Sequence, residues 1–201
     1  MIIKGKPELG LQQHQQEAYT AITNAYKIRN KASVVIPTGC GKSFISLQLM
    51  IDNKDKNILF MAPTNAIKDQ MYRYISKYIA GEEPTTERPA KMIAEEQFPN
   101  LRIILYPSLL RGADKWGEKI DDLINMNPNA KILGLTATPD RMDDKNIVDD
   151  LFCGNVDYEL TLVDAIQKGI VQAPNYVKCD YSLRDSLESI KTAIEQCSNP
   201  Q

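Results

Sequence analysis

The sequence predicts an α/β fold, a mostly parallel sheet flanked by helices. Segments with helical apolar spacing alternate along the chain with short β-rich runs. The runs are continuous in apolar character rather than alternating, which suits parallel strands buried on both faces. A glycine-rich turn also lies between the first of these runs and a helix-compatible stretch, the setting in which α/β sheets bind ligands.

Ala18, Ile22, Ala25 and Tyr26 fall at helical spacing and predict the first helix. Ser33 to Ile36 is the first buried strand, and Phe44 to Ile51 is compatible with a helix after the turn. Asn57 to Met61 reads as a second strand, and Ile67, Met71, Tyr74, Ile75 and Tyr78 predict the helix that covers it. Gly81 to Pro99 turns polar, with Pro84, Pro89 and Pro99, and predicts a surface excursion with at most one short helix. Leu101 to Leu105 and Lys131 to Leu135 are further strands, separated by a helix carrying Trp116, Ile120, Leu123 and Ile124. After Pro139 the turn-prone Asp140-Arg141-Met142-Asp143-Asp144 leads into two more helical pieces, the second from Ser182 to Cys197. In that piece Leu183, Leu187, Ile190, Ile194 and Cys197 form one stripe, read either as packing on the chain's own body or as a seam for a missing partner.

A chain of 201 residues, 43% hydrophobic and 25% charged, has material for one sizeable core of about 150 residues plus an appendage, which excludes disordered and fibrous classes. The net charge of -2 and pI near 5.5 give no basic footprint, so binding to nucleic acid would need a local surface. Cys40, Cys153, Cys179 and Cys197 include no Cys-x-x-Cys pair and His14 is the only histidine, which gives little support to a zinc site or disulfide framework. With no signal peptide or membrane span in the pattern, the expectation is a reduced, cytoplasmic protein.

The sharpest local signal is Ile36-Pro37-Thr38-Gly39-Cys40-Gly41-Lys42-Ser43. Gly39 and Gly41 let the backbone bend so that successive N–H groups point at phosphate oxygens. Lys42 supplies charge to the β- and γ-phosphates, Ser43 offers a hydroxyl to Mg²⁺, and the helix start adds its partial positive charge. Thr38 to Ser43 are therefore the candidate nucleotide-binding residues. A bare glycine-rich turn is the alternative, which the flanking strand and helix disfavour, although Ile36 stands where the strict pattern has its first Gly.

Pro-Thr-Gly-x-Gly-Lys-Ser resembles motif I of superfamily 2 helicases and translocases, and further matches follow in the family's order. Leu11-Gln12-Gln13-His14-Gln15-Gln16-Glu17-Ala18 resembles the element whose Gln reads the adenine edge, which implies that role for Gln15, with Gln12 and Gln13 departing from the usual Arg-Pro. Taken alone, Gln15 reads as a solvated residue of a Gln-rich helix start. Phe60-Met61-Ala62-Pro63-Thr64 with Gln70 resembles motif Ia, which implies nucleic-acid backbone contacts at Pro63 and Thr64. Gly134-Leu135-Thr136-Ala137-Thr138-Pro139-Asp140-Arg141 resembles motif III, which implies that Thr136, Ala137 and Thr138 couple nucleotide state to nucleic-acid binding. Gly112-Ala113-Asp114-Lys115-Trp116-Gly117, Leu151-Phe152-x-Gly154-Asn155 and Leu162-x-x-Ala165-Ile166-x-x-Gly169-Ile170 resemble the DEAD/DEAH-box-like branch allied to the type III restriction enzyme motor subunit.

The resemblance implies a RecA-like P-loop NTPase domain over residues 1–178 and a helical extension, 179–201, leading toward a second lobe that this sequence does not include. It also implies ATP and Mg²⁺ as cofactors, nucleic acid as partner with DNA ahead of RNA, and a second motor lobe or restriction and modification subunits as protein partners. Lys42 is the implied catalytic residue. The family places Asp-Glu at a strand end before Gly-Ala-x-x-Trp, to hold Mg²⁺ and orient the attacking water. Here Leu105-Tyr106-Pro107-Ser108-Leu109-Leu110-Arg111 precedes Gly112 with no carboxylate. The reading is an internal deletion near 110–112 that removes the acidic box, leaves one strand fewer than the family, and impairs hydrolysis. Asp114, Asp121 and Asp122 are the nearest replacements, and they precede or lie on a helix. The alternative is a non-enzymatic nucleotide- or nucleic-acid-binding remnant; a small-molecule P-loop kinase is disfavoured because it has no role for Gln15 or Thr-Ala-Thr-Pro.

Overall fold

The computed structural model describes residues 9–105, 116–138 and 146–173. The chain divides after Val171, and nearly all that follows lies outside the described residues, as do the expected boundary at 178 and the helical stripe from Ser182 to Cys197. In order, the described elements are α1 (Gln13–Ile28), β1 (Lys31–Val35), α2 (Lys42–Asp52), β2 (Ile58–Ala62), α3 (Asn65–Tyr74), α4 (Ala90–Gln97) and β3 (Leu101–Leu105). There follow α5 (Trp116–Met126), β4 (Ile132–Thr136), α6 (Ile147–Phe152), β5 (Tyr158–Glu159) and α7 (Leu162–Gln167). The α/β class and the four long strands match the sequence reading to within about two residues at each end, the usual boundary uncertainty. The two-residue β5 has no counterpart in it, because a pair of residues carries no periodicity.

Among the described residues all strand pairs are parallel, and they form two sheets rather than one. One has the order β4-β1-β5, the other is β2-β3. In the first, Lys31 to Val35 pair with Ile132 to Thr136, and Val34 and Val35 pair with Tyr158 and Glu159. In the second, Ile58 to Ala62 pair with Leu101 to Leu105.

Among the described residues two apolar cores follow this division. Core one joins Ala18, Ile22 and Ala25 of α1, Ala32 and Val34 of β1, Cys40, Ile45 of α2, Leu160 and Ala165. Core two joins Leu47, Met50 and Ile51 of α2, Met71, Ile75, Ala94, Phe98 and Leu101. Helix α2 contributes to both, Ile45 on one side and Leu47, Met50 and Ile51 on another. It is the described element that joins them.

Burial separates the strands. Four of the five β1 residues are buried, as expected of a strand covered on both faces. The same expectation for the other long strands needs correction: β2 and β3 have one buried residue each and β4 none. Side chains alternate across a strand, so Ile58 and Phe60 with Leu101 and Ile103 lie on the side of core two. Leu59, on the other side, is 43% exposed.

Helix ends are set by local chemistry. Thr64 starts α3 by accepting from Ile67 N at 3.3 Å, Asn146 starts α6 by accepting from Val148 N at 2.8 Å, and Thr161 starts α7 by accepting from Asp164 N at 3.1 Å. Past Tyr74, α3 widens into a π-helical stretch, Ile75–Ala80, that ends at left-handed Gly81. The apolar pattern alone predicts a uniform helix there. Ring contacts mark the transition: Phe44, Tyr74 and Tyr78 pack with centroids 5.1 to 5.5 Å apart. The polar excursion contains the single short helix allowed for it, α4, and is cross-linked by Arg88, whose guanidinium donates to Glu82 at 2.8 Å and to Glu96 at 2.7 and 3.1 Å. Among the described residues no helix is long and apolar enough to cross a membrane.

Candidate nucleotide site

Strand β1 delivers the chain to Ile36, which is fully buried, and the backbone then turns over Pro37 to Cys40 with Cys40 N donating to Pro37 O at 3.4 Å. Gly39 (φ 90°) and Gly41 (φ 75°) take left-handed conformations that cost other residues about 1–2 kcal/mol each. Their presence is what makes so tight a loop accessible. Cys40 points its side chain into core one, anchoring the middle of the loop, and burial pushes its thiol pKa up, so it behaves as an apolar anchor rather than a nucleophile. Helix α2 starts directly at Lys42, with Gly41 at its cap position.

The start of α2 therefore presents Gly41, Lys42 and Ser43 together, with Thr38 and Gly39 exposed on the rim. Lys42 is half-buried, and its ammonium donates to Ile36 O at 2.7 Å and Pro37 O at 3.0 Å. Burial lowers its pKa, with the nearby Cys40 acting in the opposite sense. The lysine is thus folded back across the loop it would serve, and an anion would have to draw it off these carbonyls.

The Thr-Ala-Thr segment comes to the same edge of the sheet. Ile36 N donates to Thr136 O at 2.9 Å, so the end of β4 is stitched to the residue that opens the loop. The Thr136 hydroxyl donates to Thr138 O at 2.7 Å and accepts from Thr138 N at 3.2 Å, closing a tight turn that leaves Thr138 exposed and Ala137 half-buried. Behind it, Gly134 lies under the ring of Phe152: a Cβ there would come within 2.6 Å of the ring. Pro63 and Thr64 are exposed at the start of α3, on the other sheet, and Gln70 donates to the Tyr74 hydroxyl at 3.0 Å.

Gln15 is neither solvated nor open. It is buried beneath the loop, where its Oε1 accepts from Gln12 N at 3.0 Å and its Nε2 donates weakly to Cys40 O at 3.4 Å. The solvated alternative is corrected by this burial. His14, also buried, donates from Nε2 to the same Cys40 carbonyl at 2.8 Å. The sequence alone presents His14 only as a poor metal ligand. The available clue was its place one residue before Gln15, at the start of a helix that meets the loop.

Of the carboxylates nearest the missing acidic box in sequence, Asp121 and Asp122 are exposed on α5, and Asp114 lies outside the described residues. Among the described residues, no set of three or more His, Cys, Asp or Glu side chains is gathered to hold a metal.

A model of the family described as type III restriction enzyme, res subunit, matches residues 8–109 of this chain. No curated protein matches. Among solved structures, the chain is similar to an ATP-dependent Type ISP restriction-modification enzyme, LlaBIII, bound to DNA, with 14% identity and a TM-score of 0.47, over 84% of this chain and 16% of that one. This chain therefore spans about a sixth of that enzyme's length. The family match takes in β1, the glycine-rich loop, α2 and the second sheet, which is half the chain: the chain belongs to the type III restriction enzyme res-subunit family, and its fold is that of a helicase-type motor domain.

Proposed function

We propose that this chain is the ATP-binding first lobe of a superfamily 2 DNA helicase or translocase of restriction-enzyme type, with its nucleotide cradle present and its hydrolytic step impaired. The observation that carries the reading is the loop itself, with left-handed Gly39 and Gly41, Lys42 and Ser43 opening α2, and Thr136 O held by Ile36 N. A helix start with glycines before it and a lysine within it fits a triphosphate in both charge and shape.

In this reading, the N–H groups of Gly39 to Ser43 grip phosphate oxygens, Cys40 N–H giving up its 3.4 Å bond to Pro37 O, while Lys42 exchanges the carbonyls of Ile36 and Pro37 for the β- and γ-phosphates. The donor set suits Mg²⁺ held jointly by the Ser43 hydroxyl and the nucleotide; when bound, the ion neutralises charge on the transferred phosphoryl group. Gln15 joins the site from beneath the loop, and its adenine-reading role requires its amide to exchange the partners it holds in this structure. Thr136, Ala137 and Thr138 carry the nucleotide state toward a nucleic-acid track that includes Pro63 and Thr64, where hydroxyls and a helix N-terminus suit phosphate backbone.

Impaired hydrolysis follows from Leu105 to Arg111, which has no carboxylate to hold the ion and orient water. The family match ending at 109, the point at which the motif order breaks, supports this. DNA as substrate, a second lobe reached through residues 179–201, and restriction or modification subunits complete the proposal. The division into two sheets favours a second reading, a nucleotide-binding remnant without motor activity.

The test is a titration with fluorescent ATP, then an ATP turnover assay with and without duplex DNA. The parent chain should bind, and Lys42→Ala should weaken binding at least about tenfold, the scale of one lost charged contact. Binding that Lys42→Ala leaves unchanged would remove the cradle. DNA-stimulated turnover by the purified chain would remove the impaired step, and phosphate transfer to a metabolite would revive a kinase.

A further inference from the structure

We infer that His14 is a positioning residue for the phosphate loop: its bond to the Cys40 carbonyl fixes the peptide between Cys40 and Gly41 so that Gly41 N–H faces the nucleotide space. This rests on the loop being the cradle proposed above.

The geometry leads there directly. A carbonyl oxygen can only accept, so the 2.8 Å contact requires the His14 ring to carry its proton on Nε2. His14 is 4% exposed, so water competes little for that bond. Gln15 Nε2 approaches the same oxygen at 3.4 Å, and a Cβ on Gly41 would fall 2.2 Å from that nitrogen. Helix α1 is therefore pressed against the loop at this one peptide.

A trans peptide is planar, with C=O and N–H directed oppositely. Drawing the Cys40 oxygen down onto α1 turns Gly41 N–H away from α1, toward the mouth at the start of α2. Gly41 N–H has no acceptor among the described residues, and it adjoins Lys42 and Ser43. The opposite orientation of the same peptide would aim a carbonyl dipole at an incoming phosphate. Glycine imposes little barrier to that rotation, so the hold must come from outside the loop. Cys40 anchors the loop through packing in core one, and His14 sets which way its carbonyl points.

Three chains test this alongside the parent: His14→Phe, which keeps a ring and loses the donor; His14→Gln, whose amide nitrogen can take the place of Nε2; and Lys42→Ala. The measurements are fluorescent-ATP affinity and the shift of the Gly41 amide NMR signal when ATP is added to saturation. His14→Phe should bind ATP about tenfold more weakly and lose most of that shift, while His14→Gln should keep the shift and stay within about threefold of the parent's affinity, the scale of one hydrogen bond. A simple packing role would not be restored by glutamine. If Lys42→Ala weakens binding and a folded His14→Phe does not, the inference fails while the cradle stands. If the parent binds no ATP, both fail. Should His14→Phe not fold, His14→Gln decides: near-parent affinity and a retained Gly41 signal shift support the inference, and a loss of about tenfold or more in affinity overturns it.

Discussion

β1 and β2 are both five-residue parallel strands of largely apolar side chains, yet β1 is buried at four positions and β2 at one. The difference lies in what surrounds them. β1 has β4 on one edge, β5 on the other, and core one packed against it. β2 pairs with β3, and Ile58 and Phe60 meet core two while Leu59 on the opposite side stands 43% exposed. A continuous apolar run thus records the surroundings a strand is suited to, and the fold decides how many of them it receives. A lost helix-plus-strand unit would leave this asymmetry, and under the proposed reading it lies between β3 and α5.

The largest expected effect tests whether the region around the second sheet is nonetheless a true core. Phe98→Ala empties a site only 1% exposed and should cost about 3–5 kcal/mol in urea unfolding. A cost below about 1 kcal/mol would mean that core two is loosely packed. In the first sheet, Gly134→Ala should cost about 1–3 kcal/mol, because the new methyl meets the buried Phe152 ring. Adding Phe152→Leu should return part of that loss, a non-additivity that a double-mutant cycle would read.

The contrast between strands can be measured directly. Val34→Ala, at a fully buried β1 position, should cost about 1 kcal/mol more than Leu59→Ala on β2, although leucine loses one more carbon atom. Equal costs would show that Leu59 is covered in solution. The smallest effect is in alkali. Burial and the bond to Asp52 push Tyr19 up to about 12 from 10.0, so its contribution is full below pH 10 and is lost as pH rises through about 12. Tyr19→Phe should flatten the stability profile in that window, as read by denaturation at fixed pH values.

The class, the four long strands and the loop were legible because each rests on a repeating or contiguous pattern: apolar runs at β1 to β4 and Gly39, Gly41, Lys42 and Ser43 in order. Three features were not. The half-exposed face of β2 and β3 depends on neighbours, which a strand's own residues do not specify. The widening of α3 depends on Phe44, about 30 residues upstream of Tyr74, entering the same ring cluster. The burial of His14 and Gln15 depends on where α1 meets the loop, a tertiary contact that polar side chains do not announce. Gln15 was found through family resemblance, and His14 through geometry alone.

Helix α2 has a wider consequence. Its first residue is Lys42, and apolar side chains around its circumference enter both cores, Ile45 on one side and Leu47, Met50 and Ile51 on another. A rod gripped from two sides moves only if both grips yield. Anything that tugs on its leading end is thereby felt in the two halves at once, and slack in either half is returned to that end as uncertainty in where the lysine stands.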